Sequence, residues 1–354
     1  MTRSRVLAGD VGGTKTTLGL FEAKSGIDGL LKETTYSSRD FPTFEAVVRE
    51  FLKGGAASIE CACFGVAGPV VGGEAKVTNL PWSVDERKIS SELGVPSVRV
   101  INDLQATASA IPYLPQADFR ALNGVVGGRT GTTIAVIAPG TGLGEASLTW
   151  DSPHGGYNVH ASEGGHADFA PTDELQVGLL RHLMGKVGHV SYESVCSGLG
   201  IRNIHAYLLQ TMTPTPASEE HERRLETEED PVPSMAEAAI TRSPDCEVCV
   251  KTFEVFVSVL GAEAGNLALR TLATGGVYLG GGIPPKILPL LEGGWFMASL
   301  RNKGKLTAFV SEIPVRVILN PKAAFLGAAR FGIDRALLGA EDDGLVQVEG
   351  VRSA

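Results

Sequence analysis

"VLAGDVGGTKTTLGLFEA" (residues 6–23) sets Lys15 and three threonines among four glycines, the vocabulary of a phosphate-binding loop. A P-loop requires G-x-x-x-x-G-K-[ST] between a strand and a helix, so that helix-terminal amides face the phosphates. Here the residue before Lys15 is Thr14, and the register fails. Thr16, Thr17, Leu18, Gly19, Leu20 and Phe21 are β-branched, small or apolar, and no cap opens a helix among them. The stretch therefore reads as a β-hairpin: a strand over Val6–Gly9, a tight turn over Asp10–Gly13, and a return strand from Thr14. Glycines in such a turn permit close approach, and successive turn amides can form an anion-binding nest. On these residues alone, a plain glycine hairpin without a ligand is an equal reading.

The same theme returns twice. "TTIAVIAPGTGLGEASLTW" (132–150) is an apolar strand, a turn carrying Gly140, Thr141, Gly142 and Gly144, and a second strand-like run. Its glycines miss the dinucleotide G-x-G-x-x-G spacing by one place, and "EASLTW" opens no helix. "GGVYLGGGIPPKILPLL" (275–291) follows another strand, and Pro284 and Pro285 suit the start of a helix. Two strand-turn-strand units about 130 residues apart suggest two related halves, each offering a turn to one ligand. "FPTFEAVVREFLKGG" (41–55) places Phe44, Val47, Val48, Phe51 and Leu52 on one helical stripe, stopped by glycines.

A chain of 354 residues exceeds what one core usually supports, so two domains are expected. Hydrophobic residues at 43% and charged residues at 20% describe a soluble globule, and no apolar run reaches membrane-spanning length. The net charge of −9 argues against a nucleic-acid surface. No stretch resembles a signal peptide, and a cytoplasmic location is expected. Cys61, Cys63 and Cys196 read as small core residues. Cys246 and Cys249 form a C-x-x-C without a second pair or a histidine at zinc-like spacing, so reduced, structural thiols are expected there too. The acidic, proline-punctuated stretch from Thr213 to Asp245 reads as a solvated insertion, and the tail after Gly339 as loose.

The remaining polar residues supply the chemistry. In "VPSVRVINDLQATASAIPYL" (95–114) a strand ends at Ile101, and Asn102 and Asp103 stand at the start of a helix. Asp103 suits either a cap on orphan amides or a general base at the mouth of an α/β cleft. Glu163 and His166 lie in the loop "HASEGGHADFAP" (160–171), and Glu193 in "GHVSYESVCSGLG" (188–200). Carboxylates, an amide and an imidazole together suit a polyhydroxylated ligand, because they accept and donate at several points. A metal site is the rival reading, weakened by the lack of thiolate or second-histidine spacing.

Taken in order, "GDVGGTKTTLGLFE", "INDLQATASAIPYL", "APGTGLGEA", "EGGHADFAP", "GHVSYESVCSG" and "GGVYLGGGIPPKIL" resemble the bacterial glucokinase family over about Val6 to Arg335. The resemblance implies an α/β, two-domain actin-like ATPase (ribonuclease H-like) fold with a central interdomain cleft. Residues 1–113 plus 320–354 would form the small domain, and residues 114–319 the large one. It implies ATP-dependent phosphorylation of glucose, Mg2+, and a cytoplasmic homodimer with no nucleic-acid or membrane partner. Asp103 would be the base for the sugar 6-hydroxyl, with Asn102, Glu163, His166 and Glu193 on the other hydroxyls. Asp10 would organise Mg2+ through water. Gly12, Gly13, Thr14, Gly140, Thr141 and Gly142 would approach the phosphates, and Gly280, Gly281 and Gly282 the nucleoside. Related sugar kinases and repressors carry a cysteine-rich zinc cluster after the E-G-G-H histidine; none follows His166, and no zinc is expected. Lys15 and Glu145 depart from the glucokinase motifs, and Glu145 would add negative charge near the phosphates. A sugar-binding regulator without chemistry and an actin-like ATPase are the alternatives.

Overall fold

The computed structural model describes residues 4–53, 59–77, 80–127, 131–151, 155–213, 215–243, 246–338 and 345–347. The opening stretch is a hairpin: β1 (Arg5–Val11) pairs antiparallel with β2 (Lys15–Glu22), Val11 opposite Thr16. The strand runs two residues further than the glycines suggest, because Val11 is buried in the core and continues the ladder. The turn is therefore Gly12–Thr14, closed by the Gly12 amide donating to the Lys15 carbonyl at 3.0 Å.

The chain continues through β3 (Leu30–Ser37), α1 (Phe44–Leu52), β4 (Ile59–Val66), a small sheet of β5 (Val70–Val71), β6 (Glu74–Lys76) and β7 (Ser83–Asp85), α2 (Glu86–Leu93), β8 (Ser97–Asn102) and α3 (Asp103–Ala110). Then come β9 (Phe119–Ala121), β10 (Ile134–Pro139), β11 (Leu143–Asp151), β12 (Gly156–Ser162), α4 (Glu174–Val187), α5 (Gly198–Thr211), α6 (Pro216–Leu225), α7 (Val232–Thr241) and α8 (Glu247–Thr271). The last elements are β13 (Gly276–Leu279), α9 (Leu288–Glu292), α10 (Trp295–Arg301), α11 (Thr307–Ser311), β14 (Val315–Ile318), α12 (Ala323–Leu338) and β15 (Leu345–Gln347).

One sheet has the order β3-β2-β1-β4-β8, and a second runs β15-β12-β11-β10-β13-β14-β9. The stretch β12-β11-β10-β13-β14 repeats the order of the first sheet, so the two glycine hairpins occupy equivalent places in two like sheets. In each, the hairpin's first strand is followed by two parallel neighbours: β4 and β8 after β1, β13 and β14 after β10. By contacts the chain divides into one unit of Met1–Asp118, Ala146–Ala161 and Asn320–Ala354, and another of Phe119–Glu145 and Ser162–Leu319.

Helix α1 forms as its apolar spacing predicts. Thr43 caps it by accepting from the Ala46 amide, and Phe44, Val47, Val48 and Phe51 are buried against the first sheet. Helix α12 returns the end of the chain to the N-terminal sheet, where Phe325, Ala329 and Ile333 pack with Val6, Ala8 and Phe21. The Phe21 and Phe325 rings lie 5.6 Å apart.

Two expectations are corrected. The acidic stretch is not merely a solvated insertion: α6 is capped by Thr215 and opened by Pro216, and α7 buries Met235, Ala236, Ala238 and Ala239 in the same core as α8. Most of its charges face outward, Glu222 being the inward exception, while apolar side chains at helical spacing hold it down. Pro214, Pro244 and Asp245 of that stretch, and the tail from Gly339 to Gly344, lie outside the described residues. Cys61, Cys63 and Cys196 are buried free thiols as expected, but Cys246 and Cys249 are joined by a disulfide. Cys246 is the N-cap of α8 and Cys249 stands in its first turn, and this places the two sulfurs together.

Candidate active site

The parallel strands of the first unit end side by side, with Asp10 of β1 opposite Gly65 of β4 and Asn102 of β8 opposite Val66. Carboxyl ends of parallel strands are where α/β sheets place their ligands. Asn102 is the N-cap of α3: its Oδ1 accepts from the Leu104 amide at 2.8 Å, and its Nδ2 donates to the Gly68 carbonyl at 3.0 Å. Capping is thus Asn102's local task, and it fixes the first turn from which Asp103 projects. Asp103 accepts from the same Leu104 amide at 2.8 Å, leaving the carboxylate with unused acceptor capacity. Burial pushes the Asp103 carboxyl above the ordinary aspartate range despite that bond. Asp10 is pushed up to about 6, first by burial and then by the charge of Asp103. Two half-buried carboxyls of raised proton affinity, one of them raised further by the charge of the other, fit a site that receives a cation or a proton.

In the second unit the turn after β10 is closed by the Gly140 amide donating to the Gly142 carbonyl at 2.8 Å. The third glycine turn backs directly onto it: the Gly280 amide donates to Ile137 and that of Ile283 to Pro139. Gly281 has φ +81°, and a Cβ there would stand 2.5 Å from the Pro139 carbonyl, so only glycine fits. After it Pro284–Ile287 form a 3-10 turn before α9 begins. Gly140, Thr141 and Gly282 line a cavity of about 680 Å³ with apolar walls from Leu199, Ile201, Phe253 and Ile287 and with Lys286 at its rim. That volume suits a nucleoside, with turn amides at one end for its phosphates.

Three of the residues expected to bind sugar, Glu163, His166 and Glu193, lie together in the same unit. The loop holding them is pinned by the His166 amide on the Glu163 carbonyl (3.0 Å) and the Glu193 amide on the Gly165 carbonyl (2.8 Å). The His166 ring stands between two carboxylates, Nδ1 3.7 Å from Glu163 and Nε2 3.7 Å from Glu193. Both separations exceed a hydrogen bond, so the three groups keep polar edges for a ligand. Glu193 is the braced member, its Oε2 accepting from the Leu143 amide at 2.9 Å. Glu145, two residues beyond Leu143 on β11, is engaged away from the Gly140–Gly142 turn. It is buried, bonded to Arg270 at 3.2 Å, and pushed up to about 8 by burial and then by Glu263. Arg270, paired with both Glu145 and Glu263, offsets negative charge there.

The far wall of the cavity escaped sequence reading. Val232, Pro233, Ala236 and Ile240 of α7 line it, and Arg202 pairs with Asp230 beside it at 2.8 Å. Val232, Met235, Ala236, Ala239 and Ile240 recur at i, i+3, i+4, i+7 and i+8, a helical signal masked by the flanking acidic run.

A family model described as Glucokinase matches residues 7–334. A glucokinase of Nostoc punctiforme is 39% identical over 338 residues, spanning 92% of this chain and 97% of its own; one from Trichormus variabilis is 40% identical at the same coverage. Among solved structures, a glucokinase from an Antarctic psychrotroph superposes with TM-score 0.78 at 29% identity, covering 92% of this chain and 98% of its own. The fold is the two-domain actin-like ATPase fold that these motifs imply. The family match spans both hairpins, the Asn102–Asp103 strand end and the Glu163–His166 loop, and the chain belongs to the glucokinase family.

Proposed function

We propose that the protein transfers the terminal phosphoryl group of ATP to the 6-hydroxyl of glucose with Asp103 as general base. The observation that carries this reading is Asp103 itself, a half-buried carboxyl of raised proton affinity held at a strand end by the Asn102 cap. As the sugar oxygen attacks the γ-phosphorus, its proton passes to Asp103 and the bond to the departing ADP breaks. A base whose pKa lies nearer neutrality takes that proton more readily. Asn102, Glu163, His166 and Glu193 bind the other hydroxyls; Gly12, Gly13, Thr14, Gly140, Thr141 and Gly142 approach the phosphates; Gly280, Gly281 and Gly282 border the nucleoside. Asp10 suits Mg2+ held through water, because its carboxyl, raised first by burial and then by the charge of Asp103, gains from a cation. Bound Mg2+ neutralises phosphate charge, and alignment supplies most of the remainder. We assign residues 1–113 with 320–354 to the small domain and 114–319 to the large one, in a cytoplasmic homodimer; the family resemblance supports this. No described helix is long and apolar enough to cross a membrane.

A coupled assay across hexoses and phosphoryl donors tests the reading. ATP consumption is expected only with glucose and Mg2+ present, in a one-to-one ratio with glucose 6-phosphate. ATP hydrolysis without sugar would point to an ATPase, and glucose binding without turnover to a regulator.

Asp10 gives a second test. Its carboxyl binds a proton more tightly in the folded chain than its ordinary value of 3.8 allows in the unfolded one. The folded state therefore loses stability as pH rises from about 4 to about 6, and the loss is complete above that. Asp10→Asn removes the buried charge, so it should gain of order 1–3 kcal/mol in stability at pH 8, with no gain at pH 4. The same variant should lose Mg2+-dependent turnover. Thermal denaturation at both pH values decides; equal stability at pH 8 would show that Asp10 is not held as described.

A further inference from the structure

Away from the sugar and nucleotide residues, α5, α6 and the first turn of α8 bring five potential ligands together. Single ligand atoms of His221, Cys246 and Cys249 lie within 4.8 Å of one another, as do those of His205, Glu222 and Cys249. Both cysteines are fully buried. Glu222 stands in the middle, its Oε1 3.8 Å from Cys246 Sγ and its Oε2 2.8 Å from His205 Nε2. His205 is itself held by Thr252 Oγ1, 3.1 Å from its Nδ1. The Nε2 of His221 is buried without a hydrogen-bond partner.

We propose that, once the Cys246–Cys249 disulfide is reduced, this cluster is a structural Zn2+ site. Cys246 Sγ, Cys249 Sγ, His221 Nε2 and Glu222 Oε1 are its ligands, and His205 orients Glu222. Two thiolates, an imidazole and a carboxylate make the four-donor N/S/O set that Zn2+ takes tetrahedrally, and C-x-x-C is a common ligand spacing for it. The geometry already gathers the sulfurs: Cys246 caps α8 and its sulfur accepts from the Cys249 amide at 3.2 Å, at the start of the helix that carries both. A neutral histidine aimed into a buried cluster with nothing to bond is costly, and a metal ligand role removes that cost. His205 fits an outer partner because both of its ring nitrogens are engaged, one on a ligand carboxylate. The site departs from the expectation of no zinc, which rested on spacing along the chain. His221 arrives through the fold, 25 positions before Cys246.

Disulfide and metal use the same sulfurs, so they exclude each other. A water-soluble phosphine cleaves the S–S bond and is oxidised to its oxide with an oxygen from water, leaving two thiols. Those thiols release their protons as Zn2+ binds. The consequence reaches the nucleotide cavity: Phe253, one helical turn after Cys249, lines it, and α7 between the two ligand-bearing segments forms its far wall.

The test uses the full chain, reduced with phosphine, stripped of metal and titrated with Zn2+ against a chromophoric chelator. One Zn2+ per chain is expected, none in the oxidised chain, and Co2+ should give tetrahedral d–d bands with thiolate-to-metal charge transfer. Cys249→Ser and His221→Ala should each weaken binding by more than about 10-fold, the least that losing even an outer partner of a metal ligand costs. Folding is checked by glucose phosphorylation, and where a variant misfolds the Co2+ spectrum of the wild type still decides. Failure of the reduced chain to bind stoichiometric Zn2+, a Co2+ spectrum without thiolate charge transfer, or unchanged affinity in folded Cys249→Ser would each overturn the proposal.

Discussion

Asp103→Asn is expected to lower kcat by about 10²-fold or more while glucose still binds. Asparagine keeps the shape and still accepts from the Leu104 amide, so α3 and the Asn102 cap should survive. What it loses is the ability to take the 6-hydroxyl proton. Because burial raises the Asp103 carboxyl, the acid limb of the wild-type kcat profile should lie above the range of an ordinary aspartate. Below that limb the protonated enzyme should behave as the variant does. The measurement is kcat and glucose affinity for both proteins between pH 5 and pH 8. A variant with near wild-type kcat would remove Asp103 from the chemistry and leave it as a helix-start residue.

The fold was legible where local chemistry and fold agree. A glycine turn with no helix former after it can only return as a strand, and β1 and β2 pair as that argument requires. Its second copy at Gly140–Gly142 was readable for the same reason. The boundary was less legible, because Asp10 and Val11 look like turn residues until the buried ladder claims Val11. Long-range partners were not legible at all. Nothing near Glu145 in sequence announces Arg270 and Glu263, which hold it within the second unit. His221 likewise meets Cys246 and Cys249 only through the packing of α6 on α8. The acidic stretch hid the cavity wall because its charges and prolines dominate its composition, while a few apolar side chains decide its packing. For the site the asymmetry is similar: residue types were readable, but their division between one braced carboxylate, Glu193, and one exposed carboxylate, Glu163, required the structure.

That division sets the effect expected from the residues we propose bind sugar. Glu193→Ala should cut kcat/KM for glucose by about 10³ to 10⁴-fold, since a site built to bond hydroxyls loses most when a bonded group is left unpaired. The alanine would also strand the Leu143 amide, which Glu193 accepts at 2.9 Å beside the Gly140–Gly142 turn. Gly142 is part of the same fit, because a Cβ there would stand 2.4 Å from Glu193 Oε2. Gly142→Ala should therefore displace the carboxylate and raise KM for glucose by about 10-fold, the effect of a misplacement rather than of a missing group. Glu163, with 78% of its side chain exposed, meets solvent already, and its alanine variant should cost less than that of Glu193. ATP affinity without sugar should move little in Glu163→Ala and Glu193→Ala, because the cavity we propose for the nucleotide is lined by neither residue. Measuring kcat/KM for glucose, mannose, galactose and fructose, with ATP affinity alongside, separates the readings. Equal losses of ATP and glucose affinity, or a wild type that uses all four sugars alike, would make these residues scaffolding and leave glucose selection without a physical basis.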